Sequence, residues 1–430
     1  MSRELEFETP SGSRYRWRVI GATFVTYLYD SYDLAILAVV MPTLLIALNI
    51  NLTQGGFLSS ATMIGAALGS ILFGLIAENY GRKRALLLAL VWFGLGTMAI
   101  WFVTSFTGWL VLRFVTGLAI GGVWGPCVAL IGRHWSPKFM ARASAFMLST
   151  FALGWVLASL LGRFALGQDW RLLFMFGGTS LFAAVYVWWA VPSDSVPRSA
   201  AVGGREPVVE KIKFGVLFEP SNRRRTILAT LENMCQMGGF WGIGAWIPTF
   251  LVKERGLDLT AMTSFLMLMY GGMFIGYQVF GYLADRIGRR HTIMLCFAID
   301  CVTIPVYLLS HNVNLLFWFG PIMGMAFGGV FGVTGSFYAE LFPERIRALA
   351  SGFCFNVGRL GAVIAPFTVG LLGQKYGLAW GIVASPVMFA LGLLVTSWLP
   401  ETLVKSKPAP LPVPVPGEVG RVPVPGEVGR

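Results

Sequence analysis

The second half of this 430-residue chain repeats the first at a fixed offset of 207 residues. Gly117-Leu118-Ala119-Ile120-Gly121-Gly122-Val123-Trp124-Gly125 returns as Gly324-Met325-Ala326-Phe327-Gly328-Gly329-Val330-Phe331-Gly332, and Gly81-Arg82 returns as Gly288-Arg289. Such a chain folds as two copies of one unit, so an element assigned to one half needs a counterpart in the other. Both copies are mostly apolar. With 56% hydrophobic and 13% charged residues and a mean hydropathy of +0.69, too little polar surface exists to cover the chain in water, which leaves an integral membrane protein. Paired hydrophobic repeats are the pattern expected of a membrane transporter. A polar residue in one half without a match in the other is not explained by the shared scaffold.

Apolar runs of about 20 residues, enough to cross about 30 Å of hydrocarbon, recur along the chain. Twelve are placed, with starts near residues 19, 55, 85, 108, 139, 171, 226, 261, 291, 312, 348 and 377. The fold class is an all-α membrane protein of two pseudo-symmetric six-helix bundles, since strands of alternating polarity are not apparent. The divisions are a polar arm (1–18), a first bundle (19–192), a linker (193–224), a second bundle (225–399) and a tail (400–430) expected to be disordered. The tail ends in a nonapeptide repeated at 413–421 and 422–430.

The net charge of +12 reflects orientation rather than a nucleic-acid partner. Basic residues crowd into alternate loops: Arg14, Arg16 and Arg18; Arg82, Lys83 and Arg84; Arg133, Lys138 and Arg142; Lys211, Lys213 and Arg223 to Arg225; Arg286, Arg289 and Arg290. The loops between carry few, so both termini are expected on the cytoplasmic side of a plasma membrane, the inner membrane of a bacterium. The first apolar stretch is too long for a cleavable signal and is expected to remain as the first helix. Five cysteines fall within predicted spans as packing residues, so no disulfide, metal site or cofactor is inferred.

Gly281, Ala284, Asp285, Arg286, Gly288, Arg289 and Arg290 follow the eighth span, and Gly74, Ala77, Glu78, Asn79, Gly81, Arg82, Lys83 and Arg84 follow the second. Both runs resemble the loop signature of the major facilitator superfamily, with Glu78 and Asn79 as departures in the first copy. Tyr29-Asp30-Ser31-Tyr32-Asp33-Leu34 resembles the Asp-x-aromatic-Asp element of the aromatic-acid and sialate/monocarboxylate proton symporter branches. Arg113 resembles the arginine motif of the fourth helix, and Asn356-Val357-Gly358-Arg359-Leu360-Gly361 resembles the Gly-Arg-x-Gly element of organic-acid members. The resemblance implies the major facilitator fold, with Glu78, Arg82, Asp285, Arg286 and Arg289 as a conformational latch. The alternative for these arginines is simple anchoring at the membrane surface. Val123 stands where related symporters often carry Glu, which excludes a proton role there.

A charge deep in a bilayer costs about 2.5–3.5 kcal/mol on insertion scales and points to function. Counted at about 1.5 Å per residue, Asp30 and Asp33 lie about 18 and 22 Å from the cytoplasmic edge, and Arg113 about 9 Å from the outer edge, at nearly the same depth. Three residues apart, the two aspartates share a helix face and are expected to look into one cavity. Repulsion between them and attraction to Arg113 make a proton-coupling group of Asp30, Asp33 and Arg113; a permanent salt bridge is the alternative. Their matches 207 residues on, Met237, Phe240 and Gly320, are uncharged. Arg359 lies near mid-membrane, matched by Ala152, and its donor fork suits a substrate carboxylate unless it pairs with Glu232 or Asp300. Asn356, Gln236, Tyr32 and Trp124 are further candidates for substrate binding, with Tyr27, Trp241 and Trp246 as possible aromatic walls. Glu232, about 10 Å deep, is a candidate gate facing the cytoplasmic vestibule.

These residues predict proton-coupled symport of a small organic acid by alternating access, carried out by a monomer. A proton-driven exporter of amphiphilic compounds is the alternative; it explains Arg359 less readily. A sensor would need an output module, and an enzyme a nucleophile, metal cluster or nucleotide loop that the sequence lacks.

Overall fold

The computed structural model describes residues 10–134, 137–191 and 214–403. Residues 193–213 of the linker, residues 404–430 of the tail with the tandem nonapeptide, and residues 1–9 of the arm lie outside the described residues, as do the side chains of Arg14, Arg133, Lys138 and Arg142.

The described residues form helices and no strand. In chain order they are α1 (Pro10–Ala47), α2 (Leu52–Tyr80), α3 (Arg82–Ala99), α4 (Phe106–Ile120), α5 (Trp124–His134), α6 (Pro137–Ala165), α7 (Leu172–Gly177) and α8 (Ser180–Ala190) in the first half. In the second they are α9 (Arg223–Gly244), α10 (Ile247–Lys253), α11 (Leu259–Ile287), α12 (Arg289–Leu309), α13 (Val313–Leu341), α14 (Arg347–Gly358), α15 (Leu360–Tyr376), α16 (Leu378–Ile382) and α17 (Ala384–Ser397). α4 with α5, α7 with α8, α9 with α10, α14 with α15, and α16 with α17 follow one another as broken spans, giving six crossings per half. Eleven of the twelve are apolar enough among the described residues to cross a membrane. The exception is α9, whose Arg223 to Arg225, Glu232, Asn233 and Gln236 make it the most polar crossing. From Glu232 onward it is almost wholly buried, so Glu232, Asn233 and Gln236 meet protein rather than lipid, while Ile227 and Leu231 present the exposed apolar surface.

Each half is pinned by the same glycine quartet. A Cβ at Gly69 of α2 would stand 1.9 Å from Leu118 O of α4, and one at Gly121 would stand 2.0 Å from Ala66 O. With Gly65 and Gly117 these let the α2 and α4 backbones touch. In the second half, 207 residues on, Gly272 and Gly276 of α11 meet Gly324 and Gly328 of α13 in the same way; a Cβ at Gly324 would stand 1.8 Å from Met269 O. Close backbone approach through small residues is how helices pack where lipid removes the hydrophobic drive. The turns after α2 and α11 are matched too, with Gly81 and Gly288 at φ of 96° and 106°, a region that disfavours a side chain.

The face carrying these two turns is the basic face. There Arg289 pairs with Asp285 at 2.8 Å and Glu340 at 3.3 Å. Glu401 caps α12, accepting from Arg289 N at 2.9 Å and pairing with His291 Nδ1 at 2.8 Å. The halves meet firmly toward the opposite face. Leu52 N donates to Gln374 Oε1 at 3.0 Å, Ser60 Oγ donates to Val363 O at 2.6 Å, and Arg163 donates to Ser264 Oγ at 2.6 Å. A Cβ at Gly56 would stand 2.7 Å from Pro366 O, so α2 and α15 touch backbone to backbone. Toward the basic face the described polar and ring contacts between halves thin to an Arg359–Ala66 O hydrogen bond at 3.4 Å, the Ser70–Asn356 hydrogen bond at 3.3 Å and a Trp124–Phe355 ring stack.

Candidate functional site

Asp33 and Arg113 form an ion pair at 3.0 Å, with side chains 1% and 0% exposed. Both ends are further committed. Thr97 Oγ1 donates to Asp33 Oδ1 at 2.5 Å, while Arg113 donates Nε to Thr62 Oγ1 at 3.1 Å and a second amine to Asp33 O at 3.4 Å. The group ties α1 to α2, α3 and α4 inside the first bundle. Asp33 therefore does not share a cavity face with Asp30, contrary to the expectation from their spacing: three residues on a helix differ by about 60° in direction, enough to send Asp33 inward. Thr62 and Thr97 complete the group without being charged, and the repeat marks them, since their matches are Met269 and Ile304.

Asp30 stays outside that network. It is 5% exposed, and its Oδ1 is buried with no hydrogen-bond partner among the described residues. Arg359 of the other half lies within electrostatic reach of it and of Tyr27. Arg359 sits at the break between α14 and α15, donates to Ala66 O of α2 at 3.4 Å, and lies over the Phe355 ring at 5.3 Å. It forms no ion pair with Glu232 or Asp300 among the described residues. Phe355 in turn stacks on Trp124 of the first half, with centroids 5.2 Å apart and planes 15° from parallel. Tyr27 leans on Phe151, which touches Trp241 and Phe331 across the interface. Two halves thus supply opposite charges and an aromatic surround to one central region.

Other candidates lie elsewhere. Tyr32 is fully buried and donates its hydroxyl to Leu173 O at 2.8 Å, which makes it a packing residue of the first bundle rather than a substrate wall. Gln236 is 1% exposed and accepts from Thr334 Oγ1 at 3.1 Å within the second bundle, leaving Nε2 buried and unpartnered among the described residues. Glu232 does not face a vestibule: it is fully buried, with Oε2 accepting from the Tyr338 hydroxyl. The helical rise gave its depth, but not its direction. Asp300 is fully buried with both oxygens unpartnered among the described residues. Asn356 is exposed and spans the halves through Ser70. Of the latch residues, Asp285 and Arg289 come together. Arg286 stacks instead on Tyr282 at 4.5 Å. Glu78 is exposed, and Arg82 donates to Ala129 O at 2.9 Å.

Two helical bundles joined around a central site with charges from both sides define a membrane transporter. The Major Facilitator Superfamily profile matches residues 23–280 and 233–423, and the chain belongs to that superfamily. Its sequence is 27% identical over 384 residues to a cis,cis-muconate transport protein of Acinetobacter baylyi, covering 88% of this chain and 93% of that one. It is 24% identical to a benzoate transport protein of the same organism, covering 96% of each. Among solved structures, a D-xylose-proton symporter superposes with a TM-score of 0.76 at 15% identity, covering 90% of this chain and 99% of that one.

Proposed function

We propose that this protein carries a small planar carboxylate, of the aromatic or conjugated-acid kind, into the cell together with protons. The observation that carries the reading is the placement of Asp30 and Arg359 on opposite halves of one central region, with Arg113 already spent on Asp33. Arg359 binds the substrate carboxylate, and Trp124 and Phe355 offer flat apolar surface to its π-system. Asp30 is the proton carrier. Neutral, it leaves Arg359 free for the substrate; ionised in the empty site, it balances the Arg359 charge so that the halves can rock back. The Asp33–Arg113 pair anchors α1 and does not carry the proton. The names of the muconate and benzoate relatives support this substrate class.

The basic face is cytoplasmic by the distribution of Lys and Arg, so both termini lie inside, and the conformation described is closed outside. Glu78 and Arg82 complete the latch with Asp285, Arg286 and Arg289 only when the cytoplasmic face closes, which fits the exposure of Glu78 here. The experiment is uptake of labelled benzoate and cis,cis-muconate into proteoliposomes under an imposed pH gradient. Accumulation that collapses with a protonophore supports the proposal. Absence of anion uptake, with efflux of amphiphilic cations instead, overturns it in favour of the exporter.

A further inference from the structure

At the break between α14 and α15 the helical ladder loosens: Arg359 N reaches Phe355 O at only 3.3 Å. A side chain from another helix adds a second donor to the same carbonyl. Asn233 of α9, fully buried, donates Nδ2 to Phe355 O at 3.0 Å and to Cys354 O at 3.4 Å. It comes this near because residue 358 is glycine, where a Cβ would stand 2.2 Å from Asn233 Nδ2. The other amide atom, Asn233 Oδ1, is buried without a partner among the described residues. An unsatisfied buried acceptor costs about 1–3 kcal/mol, which an apolar side chain would avoid, so packing alone does not call for asparagine. The repeat points the same way: Asn233, Gly358 and Arg359 match Thr26, Phe151 and Ala152 in the first half, so the three occur together only in the second.

Phe355 connects this arrangement to the site. Its carbonyl is held by Asn233, and its ring lies beneath the Arg359 guanidinium and against Trp124. We infer that Asn233, admitted by Gly358, is a positioning residue that fixes the α14–α15 break and so holds Arg359 toward Asp30. The inference rests on the reading of Arg359 as the carboxylate-binding group. Asn233 acts through the backbone of Phe355 and does not itself meet the substrate.

The test compares Asn233→Ala, Gly358→Ala and the double variant of the full-length protein in proteoliposomes. Loss of buried hydrogen bonding of about 0.5–1.5 kcal/mol corresponds to a rise in KM for benzoate counterflow of roughly 2- to 10-fold, with the maximal rate retained. Gly358→Ala works by displacing Asn233, so the double variant is expected to be no worse than the poorer single one. A second readout needs no substrate: phenylglyoxal labelling of Arg359 in purified protein, followed by peptide mass spectrometry, is expected to speed up several-fold in each variant. An unaltered KM and labelling rate with only a lower maximal rate, or effects that multiply in the double variant, would overturn the positioning role. Labelling that responds while wild-type protein exchanges neither benzoate nor cis,cis-muconate would uphold the positioning role and reject the carboxylate reading.

Discussion

Removing one member of the Asp33–Arg113 pair separates an anchor from a proton carrier. In Asp33→Leu, the Arg113 guanidinium stays fully buried with Thr62 Oγ1 at 3.1 Å and one backbone carbonyl at 3.4 Å as its acceptors. Stranding a buried charge in this way costs about 3–5 kcal/mol. Arg113→Met strands the carboxylate instead, with Thr97 as its donor, and should cost a similar amount. In the double variant, Asp33→Leu with Arg113→Met, no charge is left behind. Apolar replacement of a buried pair is often neutral or even stabilising, so most of the loss should return. The expected coupling therefore exceeds about 3 kcal/mol, far outside the few tenths by which independent sites deviate from additivity. The assay is thermal unfolding of the four proteins in detergent, followed by pH-driven benzoate uptake by the double variant. Single-variant costs that simply add would refute the pairing argument. A well-folded double variant that still exchanges benzoate but does not accumulate it under a pH gradient would place the proton on this pair after all.

Asp30→Asn is expected to abolish accumulation under a pH gradient while sparing substrate exchange, and unchanged accumulation would remove Asp30 from the proton path. Arg359→Lys keeps the charge but loses the planar fork, so the KM for carboxylates should rise about tenfold or more; equal uptake by Arg359→Lys and wild type would argue against bidentate binding. Gly56→Leu forces a side chain into Pro366 O, 2.7 Å from the position of its Cβ, and should hold the outer face open: substrate binding from outside persists, while exchange falls to background. Burial raises the pKa of the Glu401 carboxyl, but hydrogen bonds from the N–H groups of Leu403, Thr402 and His291 and from the His291 side chain outweigh it and hold it below 4.5. A carboxyl depressed in the folded state adds stability above its unfolded pKa and loses it as the pH falls through its folded one. Glu401→Gln should thus unfold at lower temperature than wild type at pH 7, with the gap closing below about pH 4.5.

The scaffold was legible because the repeat writes it twice. Gly117 and Gly121, with Gly324 and Gly328, are visible as a duplicated motif, and in space they are the points where α4 and α13 meet α2 and α11. The twelve crossings follow from length and apolarity, although α9 is so polar that the repeat carries its assignment better than hydropathy does. The site was legible in its charges and less so in its partners. Depth along a helix brought Arg113 level with the aspartates, but rotation decided that Asp33 takes it, and rotation also turned Glu232 and Tyr32 into bundle interiors. Phe355 and Asn233 went unseen because an apolar ring and a backbone-directed amide acquire meaning only once α5 and α9 are placed beside α14.

The Asp33–Arg113 pair also has a consequence for the order in which the chain enters the membrane. α1 emerges first, carrying two carboxylates within four residues, and each charge opposes membrane insertion by about 2.5–3.5 kcal/mol until it is neutralised. The cation that pairs with Asp33 is 80 residues further along, on α4. A nascent chain arrested between α3 and α4 is therefore expected to hold α1 less firmly in the bilayer than one from which α4 has been released, which extraction of the two arrested chains from membranes would measure.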